Sequence, residues 1–108
     1  MANKATKEGS VGHWDWTTRD DGMSYLPSIT HDTSGWVMTF NQGQAARGTV
    51  CAGYALGDEE DGCEEAPLPD RTLRSWLRAA LGLAAAEGTG CLDQLADAVA
   101  QLYAAVNS

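Results

Sequence analysis

From Val11 onward, apolar and polar residues alternate in short runs broken by turn-forming residues, the pattern of strands that bury one face. The first run, Val11–Thr18, places Trp14 and Trp16 on one side and His13 and Asp15 on the other. Arg19-Asp20-Asp21-Gly22 is a turn, with Asp-Gly its strongest signal. Met23–Ile29 follows, with Met23, Tyr25 and Ile29 on one face. Pro27 inside it marks a short or edge strand. After the turn His31-Asp32-Thr33-Ser34-Gly35, Trp36, Met38 and Phe40 point one way and Val37 and Thr39 the other. A longer connection over Asn41–Gly48 leads to Thr49–Leu56, where Val50, Ala52, Tyr54 and Leu56 align. Four strands joined in sequence read as an antiparallel meander with one apolar face.

The period then changes. Pro67 and Pro69 argue against helix in the segment Gly57–Pro69, and Asp70 stands where an N-cap is expected. Leu73, Trp76, Leu77, Ala80, Leu81 and Ala84 recur at spacings of three and four, predicting a helix that ends near Glu87-Gly88. A second helix, starting from Thr89 or Gly90, carries the stripe Leu92, Leu95, Ala96, Val99, Leu102, Tyr103 and Val106. The short link makes the helices antiparallel neighbours, and a one-faced sheet gives their apolar stripes a surface to cover. The predicted fold is α+β, a ββββαα two-layer sandwich. Residues 1–10 form a flexible tail. Residues 11–108 form a single domain: sheet over 11–56, acidic loop over 57–69, helical hairpin over 70–107.

Charge narrows the function. The chain holds fifteen Asp and Glu against seven Lys and Arg, a net of −8 over 108 residues. Direct binding to nucleic acid needs clustered Lys and Arg, and an anionic membrane surface is disfavoured for the same reason. A basic protein or a nucleic-acid-binding complex is the partner class this balance attracts. Cys51, Cys63 and Cys91 form no CxxC or CxH pair, so no zinc knuckle or thioredoxin-like site is signalled. The first ten residues lack the apolar core of a secretory signal, and no stretch is long enough to span a bilayer. The expected setting is reducing cytoplasm with free thiols, a Cys51–Cys63 disulfide being the alternative.

Between Arg47 and Arg71 there is no basic residue and there are seven carboxylates, six of them in the eight residues Asp58–Glu65. Asp58, Glu59, Glu60, Asp61, Glu64 and Glu65 read either as a solvated loop that aids solubility or as a phosphate decoy laid against a basic groove. Asp20, Asp21 and Asp32 lie in the first two turns, which fall at opposite ends of a meander, so only some of them share an end with the acidic loop. Calcium is a further use of such a loop. The EF-hand frame fails, however, because Gly57 stands where that frame needs Asp. Trp14, Trp16, Trp36, Tyr54 and Trp76 read first as core packing between sheet and helices; Trp14 and Trp16 are bulky for a small core, and one of them is the candidate apolar anchor at a binding rim. Arg71, Arg74 and Arg78 share one flank of the first helix, within about 60°, and are expected to pair with the acidic loop, the alternative being a grip on an external carboxylate or phosphate. On the last helix Asp93, Gln94, Asp97 and Gln101 mix with Ala98, Ala100, Ala104 and Ala105 on the outer surface, a face open to a homodimer. His13 and His31 stand in no nucleophile–base motif, His13 beside Asp15 being the only proton-shuttling candidate. No GxSxG, phosphate-cradling glycine loop or HExxH is present. Cys63 among carboxylates is a poor nucleophile.

In size, charge and lack of a catalytic motif the chain resembles the small acidic inhibitors that phages and mobile elements use against host defences, such as anti-CRISPR and anti-restriction proteins. The resemblance implies a non-enzymatic inhibitor, without cofactor or metal, that blocks a basic nucleic-acid-binding surface. It would present Asp58–Glu65, with Asp20, Asp21 or Asp32, and Trp14 or Trp16 at the rim. The alternative is an adaptor or immunity-type protein that binds through its helical face, and after it a calcium- or small-molecule-binding domain.

Overall fold

The computed structural model describes residues 6–18, 26–41, 48–54 and 64–108. Its architecture is α+β, with an antiparallel sheet followed by two helices. The sheet has six strands rather than four: β1 Glu8–Val11, β2 Trp14–Thr17, β3 Ser28–His31, β4 Trp36–Asn41, β5 Gly48–Tyr54 and β6 Glu64–Leu68. They are followed by α1 Leu73–Glu87 and α2 Leu92–Val106. Every strand pairs with the next, in the order β1-β2-β3-β4-β5-β6.

Both extra strands come from segments the sequence pattern assigns elsewhere. The run Val11–Thr18 is not one strand, because the chain reverses at Gly12-His13. Val11 pairs with Trp14, and Gly12 adopts φ 60° at the first central position of the two-residue turn. Glu8, Gly9 and Ser10, expected in the flexible tail, are thereby drawn into β1. At the other end, Glu64–Leu68 of the expected acidic loop is β6. Pro67 is tolerated there because β6 is an edge strand, where a missing N–H faces outward. Of the strand expected over Met23–Ile29, Ser28 and Ile29 fall in β3, which runs on through Thr30 to His31, while Leu26 and Pro27 precede it. Met23 and Tyr25, like Leu56, lie outside the described residues.

The alternation holds where both partners are long. Ile29, Met38, Phe40 and Val50 are fully buried on one face with Trp14, while Trp16, Trp36 and Ala52 are nearly so. The helical hairpin covers this face, α2 lying over β1 and β2 and α1 over β5 and β6. Trp76 of α1 stacks on Phe40 at 4.5 Å and receives Tyr103 of α2 edge-on at 5.2 Å, which ties sheet and both helices into one core. The core-facing stripe of α2 is Leu95, Ala98, Val99 and Leu102.

The helix ends show how local chemistry sets boundaries. The N-cap of α1 is Thr72 rather than Asp70: its Oγ1 accepts from the Ser75 N–H at 3.2 Å. Asp70 braces this cap, accepting from the Thr72 N–H, the Thr72 hydroxyl and the Ser75 hydroxyl. Gly88 closes α1 in the left-handed conformation at φ 78°. The second helix starts later than Thr89 or Gly90, after Cys91, which is itself left-handed at φ 52°. The Trp14 indole N–H donates to the Cys91 carbonyl at 3.2 Å and anchors the interhelical turn on the sheet. None of the described helices is long and apolar enough to cross a membrane.

Candidate functional site at the acid-rich end of the sheet

Because each strand reverses the last, the connections alternate between two ends of the sheet. The β1–β2 turn, the β3–β4 turn with Asp32, and the ends of β5 and β6 that border residues 55–63 lie at one end. The α1–α2 turn joins them there: the Trp14–Cys91 hydrogen bond fixes it, and the Tyr54 hydroxyl donates to the Glu87 carboxylate. That carboxylate, first through the hydrogen bond and then through its charge, holds the Tyr54 phenol above its ordinary pKa. Asp32, Glu64, Glu87 and Asp93 therefore share an end with the strand termini that carry the acidic segment.

All four described Lys and Arg residues lie toward the opposite end or on the half of α1 that starts from it. Lys7 pairs with Thr18 there and its Nζ donates to Ser108, while Tyr103 ties its hydroxyl to the Arg71 carbonyl at 2.7 Å. Arg74 and Arg78 follow in the first two turns of α1. A strand of seven residues and a helix of fifteen both span about 22 Å. Among the described residues positive charge thus collects toward one end, while Asp32, Glu64, Glu87 and Asp93 gather at the other. Among the described residues no ion pair joins Arg71, Arg74 or Arg78 to Glu64 or Glu65; the rest of the acidic segment with which the arginines are expected to pair, Asp58–Asp61, lies outside the described residues.

The predicted partner-binding residues separate into three groups. Asp58, Glu59, Glu60 and Asp61, with Asp20 and Asp21, lie outside the described residues. Thr18 and Leu26, which border the segment holding Asp20 and Asp21, stand at the end opposite Asp32. Glu64 and Glu65 are exposed on β6, Glu65 accepting a long contact from the Cys51 thiol at 3.7 Å. Asp32 is exposed and pairs with His13 at 3.1 Å. Trp14 and Trp16 are not rim anchors: Trp14 is 0 % and Trp16 9 % exposed, because the turn at Gly12 folds them under α2. The Cys51–Cys63 alternative falls on Cys63, outside the described residues.

Two features of this end are not legible in the sequence motifs. Glu87 and Asp93 join it only because the helical hairpin turns there; counting chain reversals is the signal that finds them. The two histidines also acquire partners. His13 sits in the turn beside Asp32, not on a strand face beside Asp15, whose carboxylate accepts instead from Ser10 at 2.8 Å. His31 ends β3, buried against Trp14 at 4.6 Å, with Nδ1 2.9 Å from the Ser34 hydroxyl. That serine belongs to the hairpin turn, where its Oγ also accepts from the Trp36 N–H. Among the described residues no group of three His, Cys, Asp or Glu side chains is arranged to hold a metal ion.

The helical surface differs from its expected form as well. Ala98 is fully buried, so the outer face of α2 is narrower than a stripe running from Ala98 to Ala105. No protein-family model matches the chain, and no curated protein or solved structure is detectably similar to it.

Proposed function

We propose that this chain is a non-enzymatic acidic binding protein that occupies a basic nucleic-acid-binding surface, in the manner of phage and mobile-element inhibitors of host defence complexes. The observation that carries the reading is the segregation of charge. The strand ends bearing the acidic segment lie together with Asp32, Glu64, Glu87 and Asp93, and the described Lys and Arg residues lie away from them. A partner groove that holds phosphates by Lys and Arg would meet carboxylates at this end without competing cations. Binding of this kind is steered at long range and weakens as salt screens it. The core tryptophans contribute by holding the turns in place rather than by contact.

The test is capture of bacterial proteins on the immobilised chain, read by mass spectrometry. It is repeated at rising salt, with duplex DNA or RNA as competitor, and with the variant Glu59→Gln/Glu60→Gln/Glu64→Gln/Glu65→Gln. The expected result is a nucleic-acid-binding complex that is retained at low salt, displaced by salt and by nucleic acid, and lost with the variant. A retained partner indifferent to all three would overturn the reading.

A further inference from the structure

The two edges of the sheet are unlike. On β6 the register bonds Glu64, Ala66 and Leu68 to β5, which leaves Glu65 and Pro67 facing out, and Pro67 has no N–H to offer. On β1 the Thr18 N–H donates to the Lys7 carbonyl at 2.9 Å, so Lys7, Gly9 and Val11 are the residues bonded to β2. Glu8 and Ser10 therefore turn both their N–H and C=O groups away from the sheet, and these groups meet no partner among the described residues. Among the described residues no proline, bulge or covering element blunts this edge.

The surroundings of β1 are acidic. On the uncovered face of the sheet a shallow hollow of about 710 Å³ lies against it, lined by Thr6, Glu8, Ser10, Asp15, Thr17 and Thr30. On the helical side, Gln94 packs on Gly12 and Gln101 reaches Trp16, so Asp97, between them in sequence and exposed, flanks the same edge. Lys7 directs its ammonium to Ser108.

We infer that β1 is a docking edge for an extended basic segment of a partner protein, which adds a seventh strand to the sheet. The Glu8 and Ser10 backbone groups supply the ladder. Alternate side chains of the added strand fall on the uncovered face, where a Lys or Arg reaches Glu8 directly and Asp15 across Ser10. A second copy of this chain is the less suitable occupant, because it brings its own net charge of −8 and its own Glu8 to the contact. The edge is separate from the acid-rich end and stands independently of the function proposed for that end.

The probe is an acetylated peptide of alternating lysine and valine, added to the full chain and followed by NMR amide exchange. Exchange of the Glu8 and Ser10 amides should slow as the peptide saturates. A peptide N-methylated at alternate positions should not bind, nor should one with glutamate in place of lysine. Ser10→Pro should weaken binding roughly five- to tenfold by removing one ladder donor, with Ser10→Ala as the control for the lost hydroxyl. The Glu64→Gln/Glu65→Gln variant, altered on β6 at the opposite edge of the sheet, should bind the peptide within about twofold of wild type, since the lost charges act only at long range. Unchanged Glu8 and Ser10 exchange, equal binding of the N-methylated peptide, or a dimer through β1 in sedimentation would each overturn the inference.

Discussion

Trp16 lies over Gly9. The indole covers the backbone of the neighbouring strand so closely that a β-carbon at position 9 would stand 2.6 Å from ring carbon Cε2, and the indole N–H then donates to Gln101 of α2 at 2.9 Å. One side chain thus joins β1, β2 and α2. Gly9→Ala should displace the ring and destabilise the protein by about 1–3 kcal/mol. Gln101→Leu should cost about 1–3 kcal/mol by leaving a nearly buried N–H unpaired. Urea unfolding followed by tryptophan fluorescence measures both, and a change below a few tenths of a kcal/mol in Gly9→Ala would show that the ring is free to move aside.

Cys91 holds a left-handed backbone that side chains with a β-carbon disfavour by about 1–2 kcal/mol. Its carbonyl, not its thiol, carries the contact to Trp14. Cys91→Gly keeps that contact and relieves the strain. Its gain is reduced by the greater freedom of glycine in the unfolded chain. A net stabilisation of up to about 1 kcal/mol is expected, seen as a higher melting temperature, whereas Cys91→Val should lower it.

Asp70 accepts hydrogen bonds from the Ser75 hydroxyl and from the hydroxyl and N–H of Thr72, with Arg74 nearby, and these hold its carboxyl below the usual range. A carboxylate whose pKa is lower in the folded state contributes stability that is present above its unfolded pKa and lost as pH falls through the folded value. The melting temperature of the wild type should therefore exceed that of Asp70→Asn at neutral pH. The gap should close as pH falls from about 4 toward acid denaturation. A constant gap across that range would mean that the brace acts through the neutral acid as well as through the anion.

Ala98 and Ala104 test the outer face of α2. Ala98 is fully buried and Ala104 exposed. Ala98→Glu should unfold the domain by burying an unpaired charge, while Ala104→Glu should stay within about 0.5 kcal/mol of wild type. Circular dichroism and sedimentation distinguish these outcomes from the alternative in which both variants fold and only self-association changes.

What the sequence by itself determines here is what depends on neighbours a few positions apart. The alternation Trp36, Met38, Phe40 marks the buried face of β4, and Val50 and Ala52 that of β5, because side chains on a strand repeat every second residue. The two helices follow from spacings of three and four, and Gly88 ends the first because a left-handed residue is needed there. The tertiary structure alone decides the rest. Glu8-Gly9-Ser10 has no apolar pattern and becomes a strand only because β2 offers a ladder and Trp16 roofs its glycine. Glu64–Leu68, acidic and interrupted by Pro67, is a strand because the edge of β5 is open to it. Burial of both first-run tryptophans depends on where the chain reverses, and the reversal at Gly12 puts them beneath a helix some eighty residues away in sequence. The gathering of Asp32, Glu64, Glu87 and Asp93 at one end has the same origin: charge is written along the chain, but which charges meet is set by the number of times the chain turns back.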